Sequence, residues 1–384
     1  MVASSIGENA WAVKPGKLMR IAIVYLGRRG AGGIISFELA RQLGKKHQII
    51  SFLSRQAENL DRWTDAKTDF IQVETFQNVI GALLSLFFPG QIHQVANQIL
   101  QSRPDILVFP MFHPWNSLIQ KALKNIPSVV FVHDPRPHPD LFGWFNAKLE
   151  NASIRSAARC VVLSETLKSF LVDRGATLDR IDIVHLGPFV YTPSVRPIRY
   201  QDHLPLLLFF GRIVPYKGLN ILLQSYGEVR KNYPCQLLIV GDGNISPYKD
   251  LIERLQDVRL VNRWIAEDEI VDFFATSDLV VLPYTSASQS GVIPIAAVFG
   301  LPVIATQVGG LSEQIEDGVS GWLVTPNNAQ KLAETIQEVL SSPQLAFRRG
   351  LALKERYEKW LGWEQAASRL TDSLESAIRT RNIS

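Results

Sequence analysis

Cysteine is scarce in this chain: its 384 residues include two, Cys160 and Cys235. Two thiols so far apart, each near the start of an expected strand, supply neither a disulfide framework nor a metal site, and they point to a reducing cytoplasm. Long apolar runs are missing too. The longest, residues 79–88, falls well short of the ~20 residues that span a bilayer. Residues 1–17 carry Glu8 and no apolar core, so they read as a loose tail rather than a signal peptide. No dense Lys/Arg block exists, which argues against nucleic acid as a partner. The formal charge of +4 permits contact with an anionic substrate or membrane surface without demanding it. The G-x-G-x-x-G dinucleotide fingerprint is absent, which disfavours a nicotinamide-dependent dehydrogenase.

What is present is a repeated alternation of short apolar runs and helical patterns. It is clearest at residues 206–218, LLLFFGRIVPYKG. The continuous apolar run reads as a strand buried on both faces of a parallel sheet. Gly211 lets the backbone turn off the strand end. Ligands of open α/β sheets bind beyond the carboxyl ends of the strands, so Arg212 and Lys217 fall where an anion is expected. A planar guanidinium fork and a point-charge ammonium together suit a diphosphate; solvated loop charges are the alternative.

Length and pattern predict two doubly wound α/β domains. In the first half, strands are expected at 18–26, 48–53, 105–109, 128–132 and 159–163, with helices at 34–43, 118–124 and 141–157. The first strand runs into GRRGAGG and then a helix. At Gly30, Gly32 and Gly33 a phosphate has room to approach the backbone, unless the turn is a simple connection. The strand 128–132 ends in His133, a candidate hydrogen-bonding or proton-handling group, or a locally satisfied cap. Residues 76–100 crowd Leu83, Leu84, Leu86, Phe87 and Phe88 before Pro89. They read as a core helix broken by the proline, or as an apolar element facing lipid or an apolar acceptor.

The proline-rich, aperiodic stretch 188–205 reads as an interdomain connection. Beyond it, strands at 206–210, 236–240, 259–262, 278–282 and 302–305 alternate with helices at 219–230, 267–275, 292–299 and 329–340. An amphipathic pattern over 363–378 closes the chain. Gly241-Asp242-Gly243 marks a turn at a strand end. Gln289, Ser290 and Gly291 precede a helix whose first amides attract anions, or simply cap it.

Five strings taken in order make the pattern specific: GAGG at 30–33, the strand ending in His133, GRxxxxKG at 211–218, VGDG at 240–243, and LPVIATQVGGLSEQIEDGVSGWLV at 301–324. Together they resemble the retaining glycosyltransferases of family 4 (glycosyl transferases group 1), over nearly the whole chain. The resemblance implies the GT-B fold, two Rossmann-like domains facing a cleft with a C-terminal helix returning to the first. It implies an acceptor-side domain over residues 1–195, a nucleotide-sugar domain over 196–360 and the returning helix over 361–384.

The implied reaction moves a sugar from a nucleotide-diphosphate sugar to a glycan, lipid-linked or small-molecule acceptor, in polysaccharide or glycoconjugate synthesis. No Asp-x-Asp motif suggests a bound divalent ion, so no metal or cofactor is expected. Arg212 and Lys217 would stabilise the leaving diphosphate, and His133 would sit near the transferred sugar. Gly32, Gly33, Gly211, Gly243, Gln289, Ser290, Gly291, Val292 and Glu313 would contact the donor. One departure stands out. Ala287 and Ile295 occupy the places of two glutamates that the family uses to hold the donor sugar and ribose. A non-catalytic sugar-nucleotide-binding protein and a sugar-nucleotide epimerase are therefore the rival functions. The expected location is the cytoplasm, with peripheral contact at the inner membrane face left open.

Overall fold

The computed structural model describes residues 18–28, 30–58, 60–65, 68–76, 81, 84–85, 89–133, 141–188 and 204–381. The N-terminal tail, most of the 79–88 run and residues 189–203 of the expected connection lie outside them.

The first sheet has seven parallel strands: β1 (Arg20–Tyr25), β2 (Gln48–Ser54), β3 (Phe70–Val73), β4 (Ile106–Phe109), β5 (Ser128–Val132), β6 (Arg159–Val162) and β7 (Ile181–Ile183). Their order is β3-β2-β1-β4-β5-β6-β7. The second has six: β8 (Leu206–Phe210), β9 (Gln236–Val240), β10 (Val258–Val261), β11 (Leu279–Leu282), β12 (Val303–Thr306) and β13 (Trp322–Val324), in the order β10-β9-β8-β11-β12-β13. Both are doubly wound, and the two-domain α/β arrangement expected of the GT-B fold is present. The central strands β4, β5, β8 and β11 are buried at every position, as helices on both faces of a parallel sheet require.

In each sheet the chain reverses its winding between two neighbouring strands, β1 and β4 in the first and β8 and β11 in the second. A crevice opens at the carboxyl ends of such pairs. Gly211 and Arg212 leave β8 there, and Pro283 and Tyr284 leave β11.

The last helix, Trp363–Arg381, returns to the first domain. Its Leu370, Leu374 and Ala377 are fully buried in one cluster with Ile21, Ile23 and Leu39. The Trp363 indole N–H donates to the Pro188 carbonyl at 2.8 Å. Gly187 is required beside it, since a Cβ there would lie 2.5 Å from the Trp363 ring.

Candidate active site

The turns after β8 and β9 pack backbone to backbone, which explains their glycines. Gly211 has φ +111° and Gly241 φ +147°. A Cβ on Gly241 would lie 2.0 Å from the Gly211 carbonyl oxygen, and one on Gly243 would lie 2.2 Å from that of Ile213. The Asn262 amide brackets Gly243 by accepting from its N–H at 3.2 Å and donating to its carbonyl at 3.1 Å. The two glycine turns therefore form one rigid shelf.

Both cations lie on that shelf. Arg212 is exposed and has no hydrogen bond or ion pair among the described residues. Lys217 ends a short 3₁₀ turn, Pro215–Lys217, and its ammonium lies over Gly211, where a Cβ would be 2.6 Å from Nζ. It donates to the Tyr284 hydroxyl at 2.9 Å. Neither cation meets a carboxylate among the described residues.

The segment 285–291 runs between β11 and the helix Val292–Val298. It can pass close to the loop after β12 because Gly309 and Gly310 have no side chains: added Cβ atoms would lie 1.7 Å from Ala287 O and 2.2 Å from Ser288 O. Ser290 is buried, and its N–H and carbonyl are both held by the Gln314 side chain, at 2.8 and 2.9 Å. The Val292 N–H donates to Ser290 Oγ at 3.2 Å. Two of the amides expected to face an anion are therefore engaged within the protein. Gly291 and Ile293 lack a partner inside the helix, as first-turn amides do. Ala287 and Ile295 are buried in the hydrophobic core of the second domain, so neither place suits a carboxylate.

Across the cleft, the His133 Nε2 lies 2.7 Å from the Pro110 carbonyl. A carbonyl only accepts, so Nε2 carries the proton and Nδ1 keeps a lone pair. Burial lowers the His133 pKa, opposed in part by that bond, which favours the neutral ring. The glycine-rich turn after β1 is explained largely from within. A Cβ at Gly32 would lie 2.7 Å from the Tyr25 ring and 3.1 Å from Met111. Gly33 has more room, its nearest contact being 3.6 Å away, and Gly30 (φ +86°) faces open space. Burial, with nearby Glu58, pushes the Tyr25 phenol up to about 12.

The family described as Glycosyl transferases group 1 matches residues 204–342, and Glycosyltransferase Family 4 matches residues 33–187. The chain belongs to the family 4, group 1 glycosyltransferases. It is 30% identical to the D-inositol 3-phosphate glycosyltransferase of Paenarthrobacter aurescens over 278 residues, covering 67% of this chain and 66% of that protein. Alpha-D-kanosaminyltransferase of Streptomyces kanamyceticus is 28% identical over 259 residues, covering 62% and 66%. The match thus spans just under two thirds of the length of these curated relatives. Among solved structures, Anabaena HepE in complex with UDP and glucose aligns over 93% of this chain and 100% of that one, with a TM-score of 0.73 at 18% identity. Sucrose-phosphate synthase from Thermosynechococcus elongatus covers 94% and 100%, with a TM-score of 0.73 at 17% identity. At such identities these likenesses concern the fold.

Glu313, expected to contact the donor, is engaged within the protein. Its carboxylate accepts from the Glu165 N–H at 2.9 Å, the Thr166 N–H at 3.4 Å and His185 Nε2 at 3.2 Å, all from the first domain. Ser164 Oγ donates to Ser288 O at 3.0 Å in the same contact. Tyr284, Gln314 and His185 take part in these contacts without being singled out by any sequence motif. Only Tyr284 left a signal: a tyrosine directly after a buried strand needs a partner for its hydroxyl. No group of three or more His, Cys, Asp or Glu suited to a metal occurs among the described residues, and no helix there is long and apolar enough to cross a membrane.

Proposed function

We propose that the protein is a retaining glycosyltransferase that transfers a sugar from a nucleotide-diphosphate sugar to a hydroxyl-bearing acceptor, a glycan, lipid-linked sugar or small molecule. The observation that carries this is the pair Arg212 and Lys217. Both stand without a carboxylate partner among the described residues, on a rigid glycine shelf at the reversal point of the second sheet.

As the bond from the anomeric carbon to the diphosphate breaks, the sugar gains oxocarbenium character and charge grows on the leaving oxygens. Preorganised donors lower such a barrier most when they are already in place. Lys217 is held by Tyr284, and Arg212 offers a fork suited to two phosphate oxygens. The proposed chemistry needs no divalent ion. His133, its Nδ1 lone pair engaged by none of the described residues, would receive a hydrogen bond from a hydroxyl of the transferred sugar. Gln289 would take over a sugar contact that the absent glutamates make in the family. Gly291 keeps space for the phosphates. Gly32, Gly33, Gly243 and Val292 line the approach. The enzyme would act in polysaccharide or glycoconjugate synthesis in the cytoplasm. Peripheral contact with the inner membrane face would bring it to a lipid-linked acceptor.

The solved HepE complexes contain UDP, glucose or UDP-glucose, so UDP-sugars are the first donors to try. A thermal-shift screen of UDP-, GDP- and ADP-sugars tests the reading. A true donor at a hundredfold its Kd adds about 2.7 kcal/mol of stability. The best donor, incubated with candidate acceptors, should release nucleoside diphosphate and give a product of retained anomeric configuration. Binding without turnover on any acceptor would favour the non-catalytic rival, to which the buried Ala287 and Ile295 lend weight. No binding by any sugar nucleotide would refute the proposal.

A further inference from the structure

The ammonium of Lys217 does not stand alone. Its contact, the Tyr284 hydroxyl, is itself buried and lies 3.3 Å from Ser290 Oγ. Since Lys217 can only donate, the Tyr284 proton is free to point to Ser290. Ser290 in turn is fixed by its backbone: Gln314 accepts from its N–H and donates to its carbonyl. Gln314 Nε2 also donates to Tyr357 Oη at 2.9 Å, which anchors it to the helix Pro343–Lys359. Thr306 Oγ1 donates to the Tyr284 carbonyl at 2.5 Å, which fixes the other end of that residue. The residue before Gln314 is Glu313, whose carboxylate grips the first domain at Glu165, Thr166 and His185.

We propose that Gln314 and Tyr284 are positioning residues for Lys217. Tyr284 acts directly, by accepting from the ammonium, and Gln314 acts through Ser290 and Tyr284; together they tie the place of the ammonium to the turn that bridges the two domains. This assignment rests on the diphosphate role proposed for Lys217. The physical basis is that a lysine has four rotatable bonds and a strongly hydrated head, so holding it in one place needs a dedicated partner. A buried hydroxyl supplies one at little entropic cost, provided its other side is satisfied. Without the relay, Lys217 loses its position over Gly211.

The test is a double-mutant cycle on Lys217→Ala, Tyr284→Phe and Gln314→Ala, each alone and with each of the latter two combined with Lys217→Ala. The readouts are the affinity for whichever of UDP, GDP and ADP the parent binds, and donor turnover. Tyr284→Phe keeps the ring and removes only the hydroxyl, and melting temperatures identify any variant that fails to fold. Tyr284→Phe and Gln314→Ala should each weaken nucleotide affinity or turnover by on the order of tenfold, the size expected of a hydrogen bond to a charged group. In the Lys217→Ala background neither should have any further effect. A merely structural role would instead give losses that multiply. If Lys217→Ala is impaired while Tyr284→Phe and Gln314→Ala match the parent, or if the losses multiply, the relay is overturned and the diphosphate role of Lys217 stands. If Lys217→Ala itself binds and turns over like the parent, the diphosphate role falls, and the relay with it.

Discussion

At Gly211 the missing side chain leaves room for a cation, and the missing side chain of Gly241 lets that residue pack on the same turn. The ammonium of Lys217 lies where the Gly211 Cβ would be, and the Gly211 carbonyl is approached by Gly241. An alanine at Gly211 would hold φ +111°, a conformation that L residues rarely adopt, and would displace the flexible end of Lys217. Gly211→Ala should therefore lose turnover in the manner of a lysine variant, as steady-state kinetics with a saturating donor would show. Gly241→Ala meets backbone at 2.0 Å and should instead lower the melting temperature. Arg212→Ala and Lys217→Ala should each cut kcat by 10²–10³, corresponding to about 2.7–4 kcal/mol for loss of one preorganised donor. EDTA should leave the parent's kcat unchanged, and a strict need for Mg²⁺ or Mn²⁺ would contradict the role given to these cations. Both cations and their glycine were legible because a strand ending in Gly-Arg exposes its chemistry in one short string. The hold of Glu313 on the first domain was not legible, because its partners Glu165, Thr166 and His185 lie 128 to 148 positions away.

Elements were readable where burial leaves a continuous apolar run. The bounds of β5, β8 and β9 fall where the LLLFF type of string begins and ends. The edge strands β3, β7 and β13 escaped notice because they are three or four residues long and only partly buried, with no run to detect. The helix Pro343–Lys359 was missed for another reason. Its surface is strongly charged, and Pro343 looks like a break although it occupies a first-turn position, where its lack of an N–H costs nothing. The returning helix Trp363–Arg381 was expected, and its burial defines a stability test. Leu370 and Leu374 are fully buried against the first sheet, so Leu370→Ala or Leu374→Ala should cost about 2–5 kcal/mol. Calorimetry should assign that loss to the transition of the first domain.

Over the whole molecule, the two domains meet on both sides of the reversal points. On one side Arg62 donates to Glu267 at 2.7 Å, joining the helix after β2 to the helix after β10. On the other, Glu313 collects the amides of Glu165 and Thr166 and the N–H of His185. The His185 ring is itself oriented by Arg369, whose NH1 lies 2.8 Å from Nδ1. Burial alone would push the Glu313 carboxyl up. The His185 bond and the two amides outweigh it, and its pKa lies below the ordinary value. A carboxyl whose folded pKa is depressed stabilises the joined state above its unfolded pKa and loses that contribution as pH falls through the folded one. The contact should thus be fully present near neutrality and weaken in acid, below the ordinary carboxylate range. Hydrogen exchange at Glu165 and Thr166, corrected for the intrinsic pH dependence, should then accelerate as Glu313 protonates. Glu313→Ala should give the fast exchange already at neutral pH, and combined with Glu267→Ala it should enlarge the radius of gyration seen by small-angle scattering. Unchanged protection of both amides in Glu313→Ala would show that the domains are held by other means.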